Sequence, residues 1–261
     1  MSTLKIAVLS DIHGNATAYA TAIQKAEAFV PDVVVMLGDL LTYGVRPRQV
    51  LELTDQLMAR QNCVFIRGNH DQFYFDLDKG NPSFYDNIAG FVLESVEWTH
   101  GEVRGDPPLA DRYPWADRHS MGPILFSHAN PYDYGDWSYV SKPEQWAPAA
   151  TALRQMGKMV GVFGHSHRAF AVMIDEAGRP TPADQRKWIR IPKGSVLLLN
   201  PGAVGQGRGT GLSYLTLELD GDQVRIDIPS ISFDLEQIRA DIQATDLSQG
   251  TKERLISFME K

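Results

Sequence analysis

Asp11 and His13 stand one residue apart where the apolar run LKIAVLS gives out, and Gly38-Asp39 closes a second run, DVVVML. Gly68-Asn69-His70-Asp71 follows a third run, CVFIRG; His128 ends GPILFSH, and Gly164-His165-Ser166-His167 ends GKMVGVF. Five of the seven histidines thus fall at the ends of strand-like runs. Random placement would scatter them over helices and loops. Asp, Asn and His together mix hard oxygen with borderline imidazole donors, a set suited to Mn, Fe, Zn, Ni or Co rather than to Ca alone. Asp11, His13, Asp39, Asn69, His128, His165 and His167 are too many for one tetrahedral zinc, and they fit two cations sharing a carboxylate better than a metal-free polar cluster. Gly38, Gly68 and Gly164 are expected where the chain turns sharply off a strand, at positive φ.

The elements that must carry these residues alternate. LKIAVLS, DVVVML and CVFIRG read as buried strands. Between them lie two helical stretches. NATAYATAIQKAEAF has Ala18, Ala22 and Ala26 on one face; RPRQVLELTDQLMAR has Pro47 near its first turn and a Val50, Leu53, Leu57 stripe. That βαβαβ order implies a parallel sheet with its chemistry at the carboxyl ends of the strands. Later strands include GPILFSHA, GKMVGVFGH, RAFAVMID, KWIRIP and SVLLLNPG. A hairpin, LSYLTLELDGDQVRIDI, is expected to turn at Asp220-Gly221. So many strands suit two packed sheets better than one wide sheet. The end of the chain reads as one or two amphipathic helices, with Leu235, Ile238 and Ile242 on one face and Leu255, Ile256 and Phe258 on another.

Composition narrows the classes. The chain has 261 residues and a single cysteine, Cys63, so it holds no intrachain disulfide, and its net charge is −7. That charge opposes broad binding to nucleic acid or anionic membrane. No apolar stretch approaches the roughly 18 residues that span a bilayer, and the N-terminus reaches Asp11 and His13 too early for a secretory signal. A cytoplasmic protein acting on a small substrate is expected, with a homo-oligomer left open.

Taken in order, Asp11-x-His13, Gly38-Asp39, Gly68-Asn69-His70-Asp71, His128 and Gly164-His165-x-His167 resemble the signature blocks of the calcineurin-like metallophosphoesterase superfamily, and NPGAVGQ at 200–206 resembles a loop of its small bacterial members. The resemblance implies an α/β, four-layer architecture, a double β-sandwich flanked by helices. It implies two divalent metal ions, manganese first, then iron, zinc, nickel or cobalt, with a metal-bridging hydroxide attacking phosphodiesters or phosphomonoesters. Carried over residue by residue, Asp11, His13 and His167 would hold one ion, Asn69, His128 and His165 the other, and Asp39 would bridge. His70 would protonate the leaving group or stabilise the transition state, and Asp71 would orient His70 or hold the loop. The domain is expected over 1–231, with 72–121 as a substrate-shaping insertion and 232–261 as a helical extension.

Departures from the family pattern bear on substrate. Thr42 and Tyr43 stand where the protein Ser/Thr phosphatases of the superfamily carry Asp and Arg, which argues against a dedicated protein phosphatase. Nucleotide pyrophosphate or dinucleoside polyphosphate hydrolysis, and a noncatalytic scaffold of the same fold, compete with simple phosphoester hydrolysis. Arg67 either contacts phosphate or forms an ion pair. Arg208, in the glycine-rich VGQGRGTG, is a candidate phosphate contact, and Asn69 sits beside the substrate as well as on the metal. Tyr132, Tyr134, Trp137 and Tyr139 offer planar surfaces for a nucleobase, while most other aromatics of 72–121 are expected to pack in the core. His100 and His119 are expected at the surface.

Overall fold

A computed structural model describes residues 3–81, 83–84 and 88–259. It opens with the expected alternation: β1 (Leu4–Leu9), α1 (Ala16–Ala28), β2 (Val33–Met36), α2 (Pro47–Arg60) and β3 (Cys63–Ile66). Asn15 starts α1 by accepting the Ala18 amide on its side chain. Pro47 fits the first turn of α2, where its missing N–H is not needed. The crossovers make β1, β2 and β3 parallel. Next come α3 (Asn69–Asp78), α4 (Gly90–Glu102) and the short α5 (Leu109–Arg112).

The chain then returns to strands, with β4 (Trp115–Ala116) beside β3, and β5 (Arg118–Met121) antiparallel to β6 (Ile124–Ser127). α6 (Pro143–Gln155) crosses to β7 (Val160–Phe163), parallel to β6. After β8 (Phe170–Ile174), β9 (Pro180–Pro182) and β10 (Trp188–Arg190) comes β11 (Val196–Asn200), parallel to β7. β12 (Leu212–Ser213), β13 (Leu215–Asp220), β14 (Gln223–Asp227), β15 (Ser230–Ile231), α7 (Leu235–Gln243) and α8 (Gln249–Met259) complete the order. The hairpin forms as expected but turns one residue later, on Gly221-Asp222, because Asp220 pairs with Gln223 and Gly221 takes the positive φ of 60°.

Among the described residues two large sheets result, ordered β10-β14-β13-β1-β2-β3-β4 and β5-β6-β7-β11-β8-β9, with a β12-β15 ribbon. Period-2 alternation divides their side chains. Ile6, Val8, Val35 and Leu217 of the first sheet meet Phe126, Val162 and Leu199 of the second in a core between the sheets. Ala7, Leu9 and Met36 face the opposite way, onto α1, α2 and the later helices. Leu125, Phe163 and Leu198 face Ala149 and Leu153 of α6. The layers therefore run helix, sheet, sheet, helix, as the resemblance implied.

Two boundaries read differently in three dimensions. Residues 115–116 and 118–121 of the expected 72–121 insertion are sheet, whereas α4 and α5 lie in the part before them. Pro82 and residues 85–87 of that segment lie outside the described residues. The 232–261 extension, whose last two residues also lie outside, shares the main core. Ile238, Ile242, Leu247 and Leu255 join the cluster that contains α1 and α2. The apolar faces of α7 and α8 are thus covered within the chain.

Candidate metal centre

The parallel strands deliver their polar ends to one edge. Asp11 and His13 follow β1, Asp39 follows β2, Asn69 and His70 open α3 after β3, His128 follows β6, and His165 and His167 follow β7. Backbone bonds lock the first two loops together: the Asp11 amide donates to Gly38 O and the His13 amide to Asp39 O, both at 3.0 Å. Asp11, His13, Asp39, Thr42, Tyr43, His165 and His167 all have φ between 46° and 77°; Val30 and Arg186 are the remaining described non-glycine residues at positive φ. This left-handed backbone is unfavourable for residues with a Cβ, and its concentration at one edge marks a site held in place by its surroundings. Gly38 has φ of 92°, as expected for a sharp turn. Gly68 does not: its φ is −93°, and glycine is required because a Cβ there would strike the Asp39 carboxylate. Gly164 likewise is fixed by approach, to Ser10 and Asp11, rather than by φ.

Two ligand groups emerge with ligand atoms within 4.8 Å of one another. Asp11, His13, Asp39 and His167 form one; Asp39, His128 and His165 form the other. Asp39 belongs to both. Asn69 joins the second, its Oδ1 3.2 Å from His128 Nε2. The far nitrogen of each ring is tied to a backbone carbonyl: His13 Nδ1 to Leu41 O, His128 Nδ1 to Leu37 O, His167 Nδ1 to Gln206 O and His165 Nε2 to Trp137 O. A carbonyl only accepts, so those nitrogens carry the proton and the opposite nitrogens turn lone pairs inward. His13 Nε2 and His167 Nε2 then face each other at 3.1 Å, an arrangement that calls for a cation between them. Asp11 Oδ2 is held by the Ser10 hydroxyl and the His165 amide, while its Oδ1 is buried with no hydrogen-bond partner. These residues fit a pair of divalent metals.

The electrostatics agree. Burial alone would raise Asp11 and Asp39, but the facing imidazoles hold both carboxyls below the ordinary range. Burial would lower His128, yet Asp39 and Asp11 pull it up to about 10, a measure of the positive charge the two carboxylates call for beside its inward nitrogen. Burial pushes His165 down to about 3 and His70 down to about 4, which keeps both rings neutral near pH 7.

His70 lies beside this centre, its ring edge-on to His13 with centroids 5.1 Å apart. Its Nδ1 is buried without a partner, and its amide donates to Asp39 Oδ1. The Asp71 carboxylate accepts from the amides of Gly68, Asp39 and Leu40 at 2.8, 2.8 and 3.0 Å, which ties the two turns together. Arg67 pairs with Asp117 at 2.5 Å and lies over the Tyr134 ring at 4.0 Å. Tyr139 stacks on His165, while Trp137 packs edge-on against Tyr134 and His128. Tyr132 lines a neighbouring cleft with Arg67 and Asp136. Arg208 Nη1 donates to the Tyr139 hydroxyl. His100 and His119 are both half-buried, away from the centre, with His100 bound to Asp78.

One residue stands out in the sequence only as a departure from the family pattern. The Tyr43 hydroxyl lies 3.3 Å from His70 Nε2, and its ring packs on His13 at 4.8 Å. A phenol in place of a guanidinium at that position is the signal the sequence carries for this contact.

A β-sandwich carrying an Asp/Asn/His centre at its strand ends defines a class, and the sequence agrees: the chain belongs to the calcineurin-like phosphoesterase family, whose pattern matches residues 4–169. It is 26% identical over 253 residues to the uncharacterised protein MJ0912 of Methanocaldococcus jannaschii, covering 96% of each. The fold is shared with the crystal structure of a metallophosphoesterase from Sphaerobacter thermophilus, with TM-score 0.71, 23% identity and coverage of 97% of this chain and 98% of that one. It is also shared with the hypothetical protein PH1004 of Pyrococcus horikoshii OT3, with TM-score 0.74, 16% identity and 97% coverage of both chains. Among the described residues no helix is long and apolar enough to cross a membrane.

Proposed function

We propose that the chain is a dinuclear metal-dependent phosphoester hydrolase acting on phosphomonoesters or phosphodiesters. The observation that carries this reading is the presence of two adjoining ligand groups with one carboxylate, Asp39, common to both. Asp11, His13 and His167 complete the first position; Asn69, His128 and His165 complete the second. Manganese is the first ion to test, with iron, zinc, nickel and cobalt beside it. When bound, such a pair neutralises phosphate oxygens and makes water a nucleophile near neutral pH.

The chain's own residues do the rest. Asp39 fixes the spacing of the two positions and, through its bond to the His70 amide, the start of α3. His70 presents a ring nitrogen to the departing oxygen, with Tyr43 setting the tilt of the ring. Asp71 holds the Gly68 and Asp39 turns against each other. Arg208 reaches the substrate from the rim, whereas Arg67 shapes that rim through Asp117 and Tyr134.

The test is elemental analysis of the purified protein after exposure to each metal, paired with hydrolysis of p-nitrophenyl phosphate and bis-p-nitrophenyl phosphate. Two equivalents of metal with turnover of one or both esters is expected. Binding of no metal, or two metals with neither ester cleaved, would overturn the reading.

A further inference from the structure

A second cleft borders the metal centre. Tyr139, Ser141, Lys142, Ser166, Arg168 and Arg208 line it, and it encloses about 280 Å3. Its attachment to the centre is direct. Tyr139 stacks on His165 with ring centroids 4.7 Å apart, Ser166 and Arg168 flank His167 in the chain, and the Arg208 amide donates to His167 O. The Arg208 charge is also felt at His70 and Tyr43.

Three of those six residues are cations. Elsewhere in the molecule arginines are largely neutralised, as Arg46 is by Asp241, Arg112 by Asp55 and Arg190 by Asp222. Among the described residues no ion pair joins Lys142, Arg168 or Arg208 to a carboxylate. Like charges gathered round one small cleft repel, and in a chain of net charge −7 their grouping is not a by-product of basic composition. Ser166 adds a built element. It is 4% exposed, and its Oγ accepts from Asn200 Nδ2 at 3.0 Å and from the Arg168 amide at 3.4 Å. Both lone pairs are thereby used, which leaves the hydroxyl proton to donate. Two guanidinium forks, an ammonium and a buried hydroxyl donor form a set matched to phosphate oxygens. The volume lies just under the ~300–1,000 Å3 typical of whole-ligand pockets, so it suits one end of a substrate rather than all of it.

Resting on the hydrolase reading above, we infer that the Lys142–Arg168–Arg208 cleft beside the metal centre binds a second phosphoryl group of the substrate. The preferred substrates are then phosphoesters that carry two phosphoryl groups, one placed at the metals and one held here. A simple monophosphate fills only the first position.

Calorimetry with the full chain loaded with manganese, at low temperature where turnover is suppressed, tests this independently of hydrolysis. The ligands are AMP, ADP and adenosine 3′,5′-bisphosphate, which present one phosphoryl group, two adjacent ones and two separated ones on a single nucleoside. At least one of the two-phosphoryl ligands is expected to bind about 10-fold or more tightly than AMP, the scale of one charge-assisted hydrogen bond. In Lys142→Gln/Arg168→Gln that advantage should collapse; both side chains are exposed, so the fold is retained, and an unchanged melting curve checks it. Arg168→Glu should reverse the advantage. Equal binding of all three ligands by the native chain, or a variant that keeps the full preference, would overturn the subsite. Failure of the metal-loaded chain to cleave any ester would instead count against the hydrolase reading and leave this result standing.

Discussion

The two sheets make unequal contributions to the centre they enclose. The first sheet delivers both carboxylates, Asp11 and Asp39, the imidazole of His13, the amide Asn69, and His70 with its Tyr43 partner. The second delivers imidazoles, His128, His165 and His167, and the loops after its strands also carry Tyr139, Lys142, Arg168 and Arg208. Both carboxylates, with His13, Asn69 and His70, thus come from one side; the other supplies only imidazoles to the centre, together with the exposed cations. The backbone follows the same division. Asp71 staples the Asp39 and Gly68 turns of the first sheet together, with its carboxyl raised to about 6 by burial and by Asp39. The rim of the second sheet is open, and Tyr139 is 43% exposed.

The most severe way to break this contrast is to remove the shared carboxylate. Asp39→Asn should empty both metal positions and lower kcat/KM by on the order of 10⁴-fold, since several kcal/mol of charge stabilisation vanish at once. His165→Ala, on the other sheet, should cost one metal and leave the other. Metal stoichiometry of the two variants decides the point. Equal losses from both would mean that neither sheet dominates the centre.

His70 tests the same division without touching a ligand. His70→Ala should lower kcat by about 10²–10³-fold with both metals retained, the usual consequence of deleting one transition-state donor. Tyr43→Phe should cost only about 2–10-fold, because it removes a single neutral hydrogen bond at 3.3 Å. If Tyr43→Phe matched His70→Ala, the phenol would itself touch the substrate rather than position the ring. Single-turnover rates on an ester with a poor leaving group separate these outcomes.

The centre was legible in the sequence because parallel strands turn a linear rule, polar residues at the ends of apolar runs, into a spatial one. The layers were legible for the same reason: β-branched runs alternate with amphipathic stretches. Three kinds of fact were not legible. Gly68 and Gly164 are glycines because a carboxylate and a serine from other strands come too near, which is a property of tertiary approach and not of the local turn. Arg67 finds Asp117, fifty residues away across β3 and β4, and no local pattern announces that pairing. Lys142, Arg168 and Arg208 are scattered singly along the chain and become a cluster only when the loops after β6, β7 and β11 meet. A pattern of recurring types reveals ligands; of these three cations only Arg208, set in a glycine-rich stretch, drew notice before folding.

The smallest expected effect concerns how the C-terminal helices are held over the first sheet's end of the site. Phe258 of α8 packs near Tyr43, with ring centroids 6.0 Å apart, so the docking of α7 and α8 backs the phenol that contacts His70. Arg46 anchors α7 through a bidentate pair with Asp241, at 2.6 and 2.7 Å. Burial would raise the Asp241 carboxyl, but the bonds from Arg46 and Gln237 outweigh it and hold the pKa below its ordinary 3.8. A folded-state pKa below the unfolded one stabilises above pH 3.8, and that contribution is lost as pH falls through the lower, folded value. The Arg46 side chain is 39% exposed, so solvent screening limits the pair to about 0.5–1 kcal/mol. Asp241→Asn should therefore lower unfolding stability by that amount at pH 7 and flatten the acid limb of the stability curve, as measured by urea denaturation between pH 3 and 7. A variant with native stability at pH 7 would show that apolar packing of Ile238, Ile242 and Leu255 alone seats the helices.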